Sequence, residues 1–250
     1  MKNLKVTASS QIGCVRSNNE DMVLVETRFL RNDVFTGVFP METNGRIRHV
    51  FAVADGMGGH QAGEVASADA LINFEYFVND LPEGYSAGQF EEAIINWLAS
   101  INRRIATKGQ IHDSLHDMGT TLVALVVYGG RFYRMNCGDS RLYIYSEGKL
   151  QQLTVDHSLN TMMGEQKHSN IITNCIGAGC TTSYIDISDI TDTVKPGDRI
   201  LLCSDGLNDM VDDEDIAALL GEGADADALC QAAVKAGGYD NVSVCVVDVE

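Results

Sequence analysis

Alternation opens the chain. Leu4, Val6 and Ala8 are spaced by polar residues, and a denser apolar stretch follows at 22–25. Successive side chains of a strand point to opposite faces, so both stretches predict β-strands. Residues 46–54 predict a third strand that enters the interior. The period then changes. Val65, Ala68, Ile72 and Tyr76 are spaced as one face of a helix, which Pro82-Glu83-Gly84 terminates. Phe90, Ile94, Trp97, Ile101 and Ile105 predict a second helix, with Gly109 near its end.

From residue 120 the pattern is β again. Stretches 121–128 and 132–137 flank Gly129-Gly130, and 141–145 and 150–154 flank Glu147-Gly148. Both are hairpin signals. Residues 157–180 lack a clear period and predict loop or short helix. Strands are expected at 184–187 and 199–203, short helices at 213–220 and 225–236, and a closing strand at 241–249. Strands, two helices, many strands, two helices and a strand make an α+β chain rather than an alternating βαβ one. Two antiparallel β-sheets packed face to face, with α-helices on both outer faces, would bury every apolar surface in a four-layer αββα sandwich. No low-complexity linker or internal repeat divides the chain, so one domain over 1–250 is expected.

The 250 residues are 45% hydrophobic, enough for a substantial core. Eighteen Lys and Arg against 35 Asp and Glu give a net charge of −17. That argues against nucleic acid binding through the bulk surface. It suits a protein that gathers divalent cations, and equally a solvated acidic surface. The first residues lack the apolar core of a signal peptide, and no run approaches the ~18 apolar residues of a membrane span. A cytoplasmic protein without a membrane partner is the expectation. The seven cysteines are scattered, without a C-x-x-C pair. Reduced, mostly buried thiols fit better than a zinc site or a disulfide framework.

Three apolar runs carry an aspartate at a turn. They are Val53-Ala54-Asp55-Gly56, Leu202-Cys203-Ser204-Asp205-Gly206 and Tyr239-Asp240-Asn241-Val242. A fourth acidic cluster ends Arg16-Ser17-Asn18-Asn19-Glu20-Asp21. Carboxylates at the rim of a sheet make a hard-oxygen site for Mg²⁺ or Mn²⁺. The arginine beside them points to an anionic substrate such as phosphate. Other polar motifs have structural readings. Asp139 is expected to cap the turn between strands, and Asp156 and His157 to hold a loop by hydrogen bonds. The acidic run 209–215 is expected to be a solvated helix start, since it lacks the ligand pattern of a calcium loop.

The motifs also resemble those of a family. Val15-Arg16-Ser17-Asn18-Asn19-Glu20-Asp21 and Val53-Ala54-Asp55-Gly56-Met57-Gly58-Gly59-His60 resemble the first two signatures of the metal-dependent PP2C-type (PPM) protein phosphatases, in bacterial form. Met118-Gly119-Thr120-Thr121, Cys137-Gly138-Asp139-Ser140-Arg141, Leu153-Thr154-Val155-Asp156-His157-Ser158, Cys203-Ser204-Asp205-Gly206-Leu207 and Asp240-Asn241-Val242-Ser243 follow in the family's order. The resemblance spans essentially the whole chain. It implies a two-ion Mg²⁺ or Mn²⁺ centre whose activated water hydrolyses phosphoserine and phosphothreonine in proteins, opposing a Ser/Thr kinase. It also implies roles. Asp55 matches the bridging carboxylate and Gly56 a ligand through its carbonyl. Asp205 and Asp240 match ligands of the other ion, and Glu20 and Asp21 the acidic pair that binds directly or through waters. Arg16 matches the side chain that grips the phosphate.

Three departures stand out. Met57 occupies the place where many eukaryotic members carry a histidine proposed as general acid. His60 is the nearest histidine in sequence, read either as an acid or phosphate-site group or as an ordering element of its loop. The family's third, weaker metal uses an aspartate just before Gly-Thr-Thr, which Asp117 or Asp113 could match. Residues 159–176 stand where the family often carries a longer flap. An active, monomeric phosphatase acting on phosphorylated proteins is therefore expected. Its rivals are a pseudophosphatase that signals by docking and a small-molecule phosphohydrolase on the same scaffold. A pseudoenzyme usually loses an aspartate, whereas Glu20, Asp21, Asp55, Asp205 and Asp240 all remain here.

Overall fold

The computed structural model describes residues 1–42, 46–58, 62–164 and 171–250. Its strands are β1 (Asn3–Gln11), β2 (Met22–Val25), β3 (Arg28–Leu30), β4 (Asp33–Pro40), β5 (Arg48–Ala54), β6 (Gly56–Met57), β7 (Gly119–Thr120), β8 (Leu122–Tyr128), β9 (Arg131–Cys137), β10 (Arg141–Ser146), β11 (Lys149–Gln152), β12 (Ile176–Gly177), β13 (Asp186–Asp189), β14 (Arg199–Cys203) and β15 (Val242–Val249). The helices are α1 (Ala62–Asp80), α2 (Ala87–Ile111), α3 (Leu159–Met163), α4 (Asp205–Asn208), α5 (Asp213–Gly221) and α6 (Ala226–Ala236). One six-stranded sheet runs β13-β9-β8-β5-β2-β3 and the other β11-β10-β14-β15-β1-β4. A small sheet, β12-β7-β6, extends the first beyond the Asp55 corner. The strand pairs are antiparallel.

Side-chain alternation explains the layers. On β8, Val123, Leu125 and Val127 enter the core between the two sheets, while Leu122, Ala124 and Val126 pack under α1 and α2. On β15, Cys245, Val247 and Val249 face the same central core, while Val242, Val244 and Val246 meet α4, α5 and α6. Central strands are thus apolar on both faces because both faces are covered. The result is the expected αββα sandwich with three stacked cores. Local signals agree with it. Ser86 and Gln89 form a reciprocal capping box at the start of α2, and Asp225 caps α6 through the Ala228 N–H.

Two expectations need correction. The helix over α1 is present, but it buries the opposite face. Ala62, Ala66, Ala70, Leu71, Phe74 and Val78 lie against the sheet, while Ile72 and Tyr76 are 52% and 69% exposed. The small residues let the helix sit close to β5 and β2, so packing follows the alanine stripe rather than the larger aliphatic one. Strands β3 and β4, and the two-residue strands β6 and β12, also lie where the pattern predicts none. β4 is an edge strand on β1, with Phe35 and Phe39 packed on the central core and Val34 and Val38 exposed. Apolar residues on both of its faces erase the alternation that would have marked it.

Candidate metal centre

The antiparallel registers bring four chain crossings to one corner of the sandwich. Met22 pairs with Ala54, so Glu20-Asp21 and Asp55 leave neighbouring strands at the same rim. On the facing sheet, β14 ends at Cys203 and runs through Ser204 into α4, while Asp240 lies two residues before the start of β15. Ser204 and Ser243 exchange hydrogen bonds of 3.0 Å, one to a carbonyl and one to a hydroxyl, which keeps the two crossings together. Asp139 lies between β9 and β10, whose ends abut Leu122 and Cys203. The site is therefore built on strand ends.

The backbone around these carboxylates is tightly tied. The Asp55 N–H donates to Thr121 Oγ1 at 3.0 Å. Its carbonyl accepts from Thr120 Oγ1 at 2.8 Å and from the Thr121 N–H at 2.9 Å. At Gly56 a β-carbon would lie 2.2 Å from the Gly63 carbonyl oxygen and 2.5 Å from that of Glu20, so only glycine fits. Asn241 clamps the acidic loop. Its side chain donates to the carbonyls of Ile12 and Asn18, each at 3.0 Å, and accepts from the Glu20 N–H at 2.8 Å. Arg31 braces the other side through the Asp21 carbonyl at 2.8 Å and an ion pair to Glu64 at 2.9 Å.

Exposure falls from the mouth inward. Arg16 is exposed; Glu20, Asp55, Asp205 and Asp240 are partly covered; Asp21 and Asp139 are buried. Asp21 Oδ2 accepts from Ser204 Oγ at 2.7 Å, while Asp21 Oδ1 and Asp139 Oδ2 are buried without a hydrogen-bond partner. Such orphaned carboxylate oxygens are costly unless something positive reaches them. The charges confirm the crowding. Burial, then the negative charges around it, pushes Asp21 up to about 7 and Asp139 up to about 8. Asp55 is held well above its ordinary range, first by loss of water and then by Asp21, Asp205, Asp139 and Asp240. Glu20 is raised as well, chiefly by burial. The cation at the mouth is Arg16, whose Nη2 lies 2.5 Å from Asp240 Oδ2.

Among the described residues no three His, Cys, Asp or Glu side chains close tightly enough to grip one cation unaided. The donor set is nevertheless all oxygen, partly buried, repulsive and carries two orphaned oxygens. That chemistry fits hard divalent cations whose shells are completed by water, as Mg²⁺ usually requires.

Arg16, Glu20, Asp21, Asp55, Gly56, Asp205 and Asp240 thus converge on one corner. Asp117 does not join their buried interior. Its carboxylate is 69% exposed and pairs with His116 Nδ1 at 3.0 Å. Asp113 is likewise exposed. His60 lies outside the described residues. Asp139, expected to cap the turn between strands, is buried beside Asp205 and Asp55. The available signal was its place between two strands whose neighbours both lead to the acidic rim. Asp156 and His157 do hold the adjoining loop. Arg141 grips Asp156 with Nε at 3.0 Å and Nη2 at 2.7 Å, and His157 Nδ1 accepts from the Gly138 N–H at 3.1 Å.

Known proteins resemble this chain in sequence and fold. The family model described as "Protein phosphatase 2C" matches residues 33–236. The serine/threonine protein phosphatase PstP of Mycobacterium tuberculosis is 35% identical over 98% of this chain and 45% of its own length, so the chain spans about half of that relative. The serine/threonine phosphatase stp of Listeria welshimeri is 32% identical over 85% of this chain and 88% of its own. Among solved structures, the S. agalactiae serine/threonine phosphatase superposes with a TM-score of 0.81 at 28% identity, covering 99% of this chain and 100% of that one. The PstP catalytic domain in complex with two manganese ions gives a TM-score of 0.74 at 32% identity, with 100% of both chains covered. With its αββα sandwich and the acidic corner between the sheets, the chain belongs to the protein phosphatase 2C family.

Proposed function

We propose that the chain is one divalent-metal-dependent phosphatase domain that hydrolyses phosphoserine and phosphothreonine in proteins and opposes a Ser/Thr kinase. The observation that carries this reading is the partly buried carboxylate cluster with an arginine at its mouth, on a family scaffold. Asp55 and the Gly56 carbonyl, Asp205 with Asp240, and Glu20 with Asp21 would hold two Mn²⁺ or Mg²⁺ ions. Bound there, the ions would supply an activated water and neutralise charge on the phosphoryl oxygens. For a third, weaker ion, Asp139 is better placed than Asp117, because its buried oxygen already sits among the carboxylates. A monomer working in the cytoplasm on phosphorylated proteins completes the proposal.

The chain's own residues have definable tasks. Strand ends fix the carboxylates, so little ordering remains when cations and substrate arrive. Arg16 exchanges its partly exposed partner Asp240 for two phosphate oxygens, a geometry that guanidinium matches. Burial of Asp21 and Asp139 strengthens every charge interaction nearby. Met57 stands in the place of the family's proposed acid.

A phosphothreonine peptide and a panel of small phosphate monoesters, assayed with Mn²⁺, test the proposal. Efficient release of phosphate from the peptide is expected. Turnover confined to a small metabolite would favour the small-molecule phosphohydrolase, and no turnover of any ester would overturn the enzymatic reading.

A further inference from the structure

We propose that Cys175 and Cys180 are an oxidisable thiol pair, which hydroperoxides convert reversibly into an intrachain disulfide that tightens the turn packed against the strand that holds the Asp55 carbonyl. Their Sγ atoms already lie 3.5 Å apart. All seven cysteines are free thiols, and Cys175 is buried while Cys180 is partly exposed. The turn between the two is preset. Gly177, Ala178 and Gly179 all have positive φ, which curls the chain back on itself. The Cys180 N–H donates to the Gly177 carbonyl at 2.9 Å. Asn102 on α2 spans the turn, accepting from the Gly177 N–H at 2.7 Å and donating to the Cys180 carbonyl at 3.1 Å.

The chemistry balances with a peroxide as oxidant. The Cys180 sulfur, the more accessible of the two, attacks a peroxide oxygen. The O–O bond breaks, water leaves from hydrogen peroxide or an alcohol from an organic hydroperoxide, and Cys180 becomes a sulfenic acid. The Cys175 sulfur then attacks Cys180 Sγ; the S–S bond forms, the S–O bond breaks and water leaves. Two thiols lose two electrons and two protons, and the peroxide gains both. A small thiol reductant reverses the change by exchange. Burial raises the Cys175 thiol, which suits it to resolve rather than to attack first. Disulfides of this kind in cytosolic proteins are transient and redox-sensing rather than structural.

The turn has little slack toward the acidic corner. Closure brings the sulfurs from 3.5 Å to about 2.05 Å. The Ala178 N–H donates to the Met118 carbonyl at 2.8 Å, and Ile176 pairs with Thr120 across the small sheet. A β-carbon at Gly119 would lie 2.6 Å from that of Ala178, so the two backbones are in direct contact. Thr120 in turn holds the Asp55 carbonyl at 2.8 Å. Movement of the turn is therefore passed to Asp55 through one strand.

Peroxide titration followed by intact mass and peptide mapping tests the pairing. A Cys14→Ser background removes the exposed Cys14. The expected product is lighter by two hydrogen atoms, links Cys175 to Cys180, reverts with dithiothreitol, and is absent in Cys175→Ser and Cys180→Ser. Linkage of either cysteine to Cys137, or over-oxidation of Cys180 with Cys175 left reduced, would overturn it. The link to the site rests on the phosphatase reading and is read separately, on p-nitrophenyl phosphate. Displacement of a reacting group by an ångström costs up to about 10²-fold, so a fall of about tenfold on oxidation, restored by dithiothreitol, is expected. Unchanged turnover in the fully disulfide-linked enzyme would overturn that link, while the mass measurement decides the pairing whichever activity the protein has.

Discussion

At the scale of single residues, the acidic corner sets burial against charge. Asp55 is held above its ordinary range by loss of water and by the charges of Asp21, Asp205, Asp139 and Asp240. Asp55→Asn and Asp205→Asn should each lower turnover at saturating Mn²⁺ by at least about 10²-fold, the scale of losing one preorganised charge contact. Circular dichroism should show both variants folded, because each removes repulsion from the metal-free state. Near wild-type turnover in Asp55→Asn would remove it from the bridging position. Arg16 predicts a different pattern. Arg16→Ala should leave the calorimetric Mn²⁺ isotherm nearly unchanged and lower kcat/KM about 10- to 100-fold, as expected for charged hydrogen bonds to phosphate. Unaltered kinetics would move the phosphate contact elsewhere. Five carboxylates and the arginine were readable because each sits in a motif next to a strand. Asp139 was not, because Asp in a tight turn usually caps that turn, and only the assembled sheets show that it points inward.

At the scale of elements, the acidic loop depends on one side chain from the opposite sheet. Asn241 makes three hydrogen bonds to Ile12, Asn18 and Glu20, and is itself buried. Asn241→Ala would strand those backbone groups at about 1–3 kcal/mol each where water cannot replace the partner. A loss of roughly 2 kcal/mol in urea unfolding is expected, together with a weaker apparent affinity for Mn²⁺. A change in stability without a change in Mn²⁺ affinity would show that the clamp does not organise the metal site. The elements themselves were largely visible beforehand. Gly129-Gly130 and Glu147-Gly148 marked two hairpins, and Phe90 to Ile105 marked the buried face of α2. The failure at α1 has a clear cause. Hydrophobicity singled out Ile72 and Tyr76, but the depth available above β5 and β2 selected Ala62, Ala66 and Ala70. Sequence periodicity reports apolar stripes, whereas packing distance chooses between them.

At the scale of the whole molecule, a net charge of −17 surrounds a corner where carboxylates are held above their ordinary range. The stability consequence has a definite sign. A carboxyl raised in the folded state is best accommodated while protonated. Its stabilising contribution is complete below the ordinary value near 3.8 and is lost as pH rises through about 7 for Asp21 and about 8 for Asp139. In EDTA, Tm should therefore fall between pH 5 and pH 8, and Asp21→Asn should flatten the slope. Mn²⁺ added at pH 8 should restore Tm, since a ligand that binds only the folded state stabilises it. A metal-free Tm independent of pH would contradict the crowded-carboxylate picture. The same convergence of four chain segments underlies the functional claim, and one measurement addresses it most directly. The protein is stripped of metal, verified metal-free by elemental analysis, and assayed on a phosphothreonine peptide while Mn²⁺ is titrated back. No phosphate release without metal, and release that rises to saturation with Mn²⁺ and is abolished by Asp55→Asn, is the predicted result. Full turnover by verified metal-free protein would contradict the account.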